Sequence, residues 1–111
     1  MKLKTQMLRS LVLFVSLIPC AHAQTMFGGA DCGTWVKQGS TADKAWVIGY
    51  LSALNAAWVI DGKRPYDPLG SLSSADQAFL WMDNYCRSKP LSQVSAGARQ
   101  LFQELVKRKQ P

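Results

Sequence analysis

Three cysteines and one histidine in 111 residues reduce to two cysteines and no histidine if the chain is cut where its own first residues direct. Residues 1–23 open with Lys2, Lys4 and Arg9, run apolar from Leu11 to Ile18 and close on Ala21-His22-Ala23. A basic start, a short apolar centre and an A-x-A ending are the pattern of a secretory signal peptide, here cleaved after Ala23. The apolar run is too short to anchor the chain in a bilayer. Leu17-Ile18-Pro19-Cys20 bears a faint likeness to a lipoprotein signal, but proline directly before the cysteine does not fit the small residue wanted there. The expectation is export without a membrane anchor, with a chain starting at Gln24. Cys32 and Cys86 are then the only available pair, in a compartment where disulfides persist.

That pair constrains the fold because little else holds it. Residues 24–111 form a chain of 88 residues, near the size where one core is marginally sufficient. The two cysteines stand 54 positions apart, and closing a loop of that length contributes about 4 kcal/mol on the chain-entropy estimate, comparable with the net stability of a small domain. A redox-active pair would have its cysteines close in sequence and a depressed thiol pKa, so the pairing reads as a structural staple.

Helical punctuation fills the space between. Residues 24–30 read as a loose arm. Residues 31–37 read as a short helix with Asp31 as its cap, Cys32, Trp35 and Val36 turned inward, and Gly39 as its stop. Ser40-Thr41-Ala42-Asp43 has the shape of a capping box with Asp in place of Glu and opens the strongest helix, from Ala42 to about Ile60. Val47, Leu51, Leu54 and Trp58 recur at the spacing of one buried face, widened by Trp46, Tyr50 and Ala53. Gly49, Ala53 and Ala57 form a row of small residues expected to let the next helix approach closely. Residues 61–71 are rich in turn formers. Ser73-Ser74-Ala75-Asp76 repeats the capping-box shape and begins a third helix running to about Arg87, with Phe79, Met82 and Cys86 on one face and Asp83 placed to pair with Arg87. Pro90 stops that helix. Ser92 is expected to cap the last one, residues 93–109, whose stripe is Val94, Ala98, Leu101 and Leu105 with Phe102 beside them. No strand alternation and no repeat is present. The fold class is all-α: a small single-domain bundle of three main helices plus a short N-terminal helical turn, stapled by one disulfide.

Chemistry is bounded by what is absent. Without histidine there is no Ser-His-Asp or Cys-His nucleophile, and two distant cysteines cannot supply a tetrahedral zinc cage. Seven acids remain, Asp31, Asp43, Asp61, Asp67, Asp76, Asp83 and Glu104. Asp76 and Asp83 could share a helix face, but capping and ion pairing already account for them. Gly28-Gly29 lacks the lysine of a phosphate cradle. Asp61 and Asp67 do not meet the ligand positions of a calcium loop, and Lys63-Arg64 between them opposes a cation. The reading is a non-enzyme with no cofactor and no metal.

The leader takes three of the 13 basic residues, leaving ten against seven acids. Lys107, Arg108 and Lys109 cluster at the C-terminus, where cations suit the helix dipole; contact with anionic lipid or an acidic partner is the sharper alternative. No basic stripe interleaved with aromatics points to nucleic acid. Four tryptophans and three tyrosines are more than a core this small can hide, and such residues carry much of the binding energy at protein interfaces. The candidate partner-binding residues are Lys63, Arg64 and Tyr66 in the long loop, with Tyr66 expected exposed, and Trp46 and Tyr50 on the neighbouring helix.

Two segments, Trp46-Val-Ile-Gly-Tyr-Leu-Ser-Ala-Leu-Asn55 and Met82-Asp-Asn-Tyr-Cys-Arg-Ser-Lys-Pro-Leu91, followed by Val94 and a final amphipathic helix, resemble two groups of small exported helical proteins of Gram-negative bacteria. One is the HdeA-type acid-stress chaperone family. The other is the Rap/Tai family of immunity proteins, which neutralise amidase effectors delivered by type VI secretion. The helix with Gly49-Tyr50 resembles the immunity group; a cysteine near a helix end, then Lys-Pro and a last helix, occurs in both, with an earlier partner cysteine in the HdeA type. The resemblance covers roughly residues 32–106. It implies a periplasmic, disulfide-stapled module that binds another protein, effector or client, as an immunity-type inhibitor or an accessory of a secretion or transfer system. The alternative it implies is an acid-stress holdase. A homodimer is compatible with either.

Overall fold

Asp31 and Ser40 set the first two helices in place, each by a local hydrogen bond. In the computed structural model, which describes residues 25–62 and 66–108, Asp31 accepts from the Thr34 backbone N–H at 2.8 Å and starts α1, Cys32–Gln38. Gly39 ends it in the left-handed region at φ 43°, donating its N–H to the Trp35 carbonyl. Such a stop favours glycine because a Cβ is unfavourable at that backbone angle. Ser40 caps α2, Thr41–Ile60, accepting from Asp43 N–H while its hydroxyl donates to the Asp43 carboxylate at 2.6 Å. A 3-10 turn, Pro68–Ser71, precedes α3, Ala75–Ser88, and α4, Val94–Lys107. The described residues are all-α with no strand. Residues 1–24, Lys63-Arg64-Pro65 and the last three residues lie outside them.

Cys32 and Cys86 are joined in a disulfide with their Cα atoms 4.8 Å apart, and both are fully buried. Backbone pairing extends the staple into a third element. Cys32 N–H donates to the Ser92 carbonyl, and Val94 N–H to the Ala30 carbonyl, around a single antiparallel bridge between Asp31 and Gln93. The N-terminal segment therefore holds the end of α3 and the start of α4 together. It also satisfies one of the N–H groups that a helix start leaves without an intrahelical partner. Ser92 is not the cap of α4: its hydroxyl shares a 2.8 Å hydrogen bond with that of Tyr85, and Gln93 occupies the cap position without a side-chain bond. Ser74 likewise makes no cap bond; Gln77 instead reaches back to accept from Ser73 N–H.

The core lies between α2, α3 and α4. Val47 and Leu51 from α2, Ala78, Met82 and Cys86 from α3, and Val94, Ala98, Leu101 and Leu105 from α4 are buried together, with Trp35 at 1% exposure under them. Leu54 and Trp58 pack at the edge, and Trp58 meets Phe102 edge-on at 6.2 Å. Trp35 donates its indole N–H to Asp83 at 2.7 Å, so Asp83 serves a buried donor rather than the expected ion pair with Arg87. Val36 turns outward at 47% exposure, because the inward face of this short helix is filled by Cys32 and Trp35.

The close helix approach occurs where the row of small residues did not place it. A Cβ on Gly97 in α4 would come within 2.6 Å of the Tyr85 ring and 2.7 Å of Met82 Cε, so Gly97 is the residue that lets α3 and α4 meet. Around Gly49 a Cβ would meet nothing within 4 Å, and Ala53 and Ala57 are exposed as well. The expected packing of the Gly49-Ala53-Ala57 row is not made, and Ala53 does not widen the buried stripe. The reason is that α2 meets α4 and the 3-10 turn through its Val47-Leu51 side, and no described element lies over the other.

Candidate functional site

The open side of α2 is the feature a protein of this size does not ordinarily leave uncovered. From residue 45 to residue 60 the helix carries no charged side chain. Its buried side is committed to the core, yet Ala45, Gly49, Ser52, Ala53, Ala56 and Ala57 remain exposed, ending in Val59 at 48% and Ile60 at 82% exposure. Charged residues are the usual covering of a solvent-facing helix side. Here that covering is missing over about four turns, at 3.6 residues per turn.

Two features border this face. Along one edge the Trp46 and Tyr50 rings stack 5.1 Å apart, both half-buried. The arm fastens Trp46: its indole N–H donates to the Phe27 carbonyl at 2.7 Å, and a Cβ on Gly28 or Gly29 would stand only 3.1–3.2 Å from the ring. The segment expected to be loose is thus laid against α2, and its two glycines permit the approach. At the C-terminal end the face runs into an open groove of about 650 Å³ between α2 and α4, lined by Leu54, Ala57, Trp58, Ile60 and Phe102, with Asp61 at its rim.

The loop candidates fall elsewhere. Lys63 and Arg64 lie outside the described residues. Tyr66 is half-buried rather than exposed: its hydroxyl donates to the Val106 carbonyl at 2.6 Å and its ring lies 6.3 Å from Trp58. The chain after it is tied down too, with Leu69 N–H donating to the Asn55 side chain and Asp67 capping the 3-10 turn at Gly70. Of the five candidates, Trp46 and Tyr50 are brought to the edge of the open face, and Tyr66 is built into the packing between α2 and α4. The face itself was legible only as a run without charge; periodicity could not say which side would be left bare.

Several carboxylates are engaged within the chain. Asp31 caps α1, and the Thr34 backbone N–H, followed by the Thr34 hydroxyl, holds its carboxyl below the ordinary value of 3.8. Asp43 takes the Ser40 hydroxyl, Asp83 the Trp35 indole and Glu104 the Trp81 indole at 3.1 Å. Among the described residues no group of three His, Cys, Asp or Glu side chains could hold a metal ion, and no helix is long and apolar enough to cross a membrane. Compared with known proteins, the chain matches no family model, no curated protein and no solved structure.

Proposed function

We propose that this is an exported, non-catalytic protein-binding module whose contact surface is the open face of α2, edged by Trp46 and Tyr50. The observation that carries the reading is the uncharged run 45–60 with its far side exposed. Exposed apolar patches of this kind mark interaction sites in proteins that are otherwise well packed, and a disulfide-fastened scaffold holds such a face rigid before binding. An immunity-type inhibitor or an accessory of a secretion or transfer system is the form of this reading that the resemblance supports, with the periplasm as its compartment.

Charge placed on the face tests it. The oxidised chain 24–111 captures one stoichiometric partner from envelope extract at neutral pH, and A53R and I60R lose that partner while keeping the parent's helical signal and melting temperature. Equal capture by both variants overturns the assignment of the face. Sedimentation of the purified protein at increasing concentration separates self-association from a foreign partner.

A second reading, the acid-stress holdase, is the alternative the resemblance supports, and the bare apolar side of α2 suits a client-binding surface. Broad capture of unfolded proteins near pH 3, with none at pH 7, favours this reading over the first.

A further inference from the structure

Away from the α2 face lies a smaller cleft, about 310 Å³, walled by α3, by the end of α4 and by Ser71-Leu72. No residue of α2 lines it, so a ligand bound there is independent of whatever the α2 face contacts. Its floor is the buried Leu101 and its rim carries Leu80 at 62% exposure. Trp81 forms one wall, held in place by its stack on Tyr85 at 5.4 Å and by its bond to Glu104.

The polar side chains lining this cleft include two amides and a guanidinium, with the Ser71 hydroxyl already donating to the Pro68 carbonyl. Gln77 uses its carbonyl oxygen to accept from Ser73 N–H at 2.8 Å, which leaves its NH₂ end for the cleft. The Asn84 side chain lines the same wall. Arg108 closes the end, and its guanidinium has no carboxylate within ion-pair distance among the described residues. Glu104, one turn earlier on α4, accepts from the Trp81 indole. The cleft therefore offers a guanidinium and amide donors beside leucine and tryptophan.

The geometry points to a binding site for an apolar carboxylate: a hydrophobic body on Leu80, Trp81 and Leu101 with its acid group on Arg108. Guanidinium matches a carboxylate with two parallel donors. Few convergent polar groups on an apolar wall are the ordinary composition of a small-ligand site, and the cleft's size is at the lower end of such sites, about 300–1,000 Å³. Two sources share this chemistry, a free apolar acid and the carboxyl-terminal residue of a peptide.

The test is an amide-resolved NMR titration of the oxidised chain 24–111 with four probes. These are 3-phenylpropionate, its neutral alcohol 3-phenylpropanol, acetyl-Gly-Gly-Phe with a free carboxyl end, and the same peptide as its C-terminal amide. The expected result is saturable shifts at Gln77, Leu80, Asn84 and the Trp81 indole N–H with the acids. The neutral counterparts bind at least tenfold more weakly, and R108A and L80E each weaken acid binding at least tenfold. Tighter binding of the peptide acid assigns the site to a chain terminus, and tighter binding of phenylpropionate assigns it to a free acid. No shift at 10 mM probe (about tenfold above a 1 mM Kd, −4.1 kcal/mol), equal binding of acids and neutral probes, or full binding by R108A overturns the proposal.

Discussion

Replacing each of two glycines by alanine should move stability in opposite directions, and the size of the difference comes from what surrounds them. Gly49 and Gly97 both lie inside helices, α2 and α4, so alanine at either gains about 0.8–1 kcal/mol of helix propensity. At Gly49 that gain is the whole effect, since an added Cβ meets nothing within 4 Å. At Gly97 the methyl would overlap the Tyr85 ring at 2.6 Å and Met82 Cε at 2.7 Å. Met82 is fully buried, and Tyr85 is held by its stack on Trp81 and its hydrogen bond with Ser92, so neither yields freely. Overpacking of this kind costs about 1–3 kcal/mol, which leaves G97A destabilised by about 1 kcal/mol after the propensity gain. In a domain of this size 1 kcal/mol is about 4–8 °C in Tm. Thermal unfolding of the oxidised proteins, followed by far-UV circular dichroism, should place G49A above the parent and G97A below it, roughly 8–16 °C apart. A G97A protein as stable as the parent would refute the tight α3–α4 approach. A destabilised G49A would mean that the α2 face is covered after all, and would remove the ground for the proposed surface.

Reduction of the Cys32–Cys86 bond, or the double change to serine, should cost about 4 kcal/mol; an unchanged Tm in the presence of reductant would contradict a structural staple. D83A leaves the Trp35 indole N–H buried without an acceptor and should cost about 1–3 kcal/mol, with D83N, which keeps an acceptor oxygen, losing less in urea unfolding. Because the Asp31 carboxyl is held below its ordinary value, the folded chain binds that proton less readily than the unfolded one. The cap therefore stabilises the fold above the ordinary carboxylate pKa and is lost as pH falls through the lowered one. The Tm difference between wild type and D31A should accordingly be present at pH 6 and vanish near pH 2. Y66F removes the 2.6 Å bond to Val106 and should cost about 1 kcal/mol, with faster amide exchange at Leu69 as the local sign that the segment has loosened.

What the amino-acid sequence determined by itself is what is decided within a turn or two of chain. Asp31, Gly39 and Ser40 stand where they were read because a cap or a stop involves groups no more than four residues away. The stripes of α2 and α4 come from a 3.6-residue repeat, and the Cys32–Cys86 pairing was read from the two cysteines that follow residue 23. Trp46 and Tyr50, one turn apart, were legible as a joined aromatic pair for the same reason. Tertiary structure decided the matters whose partners are far along the chain. Asp83 turned from Arg87, four residues away, to Trp35, 48 positions distant. Tyr66 found Val106, 40 positions on, and so left the surface. The arm settled on Trp46, and the strand-like contact of Ala30 with Val94 displaced Ser92 from the cap of α4. Above all, α2 is apolar nearly all round, so its own periodicity could not choose which side to bury. That choice fell to α4 and the 3-10 turn, which have surface enough to cover one side of the helix, and the small residues on the other were left to face whatever binds there.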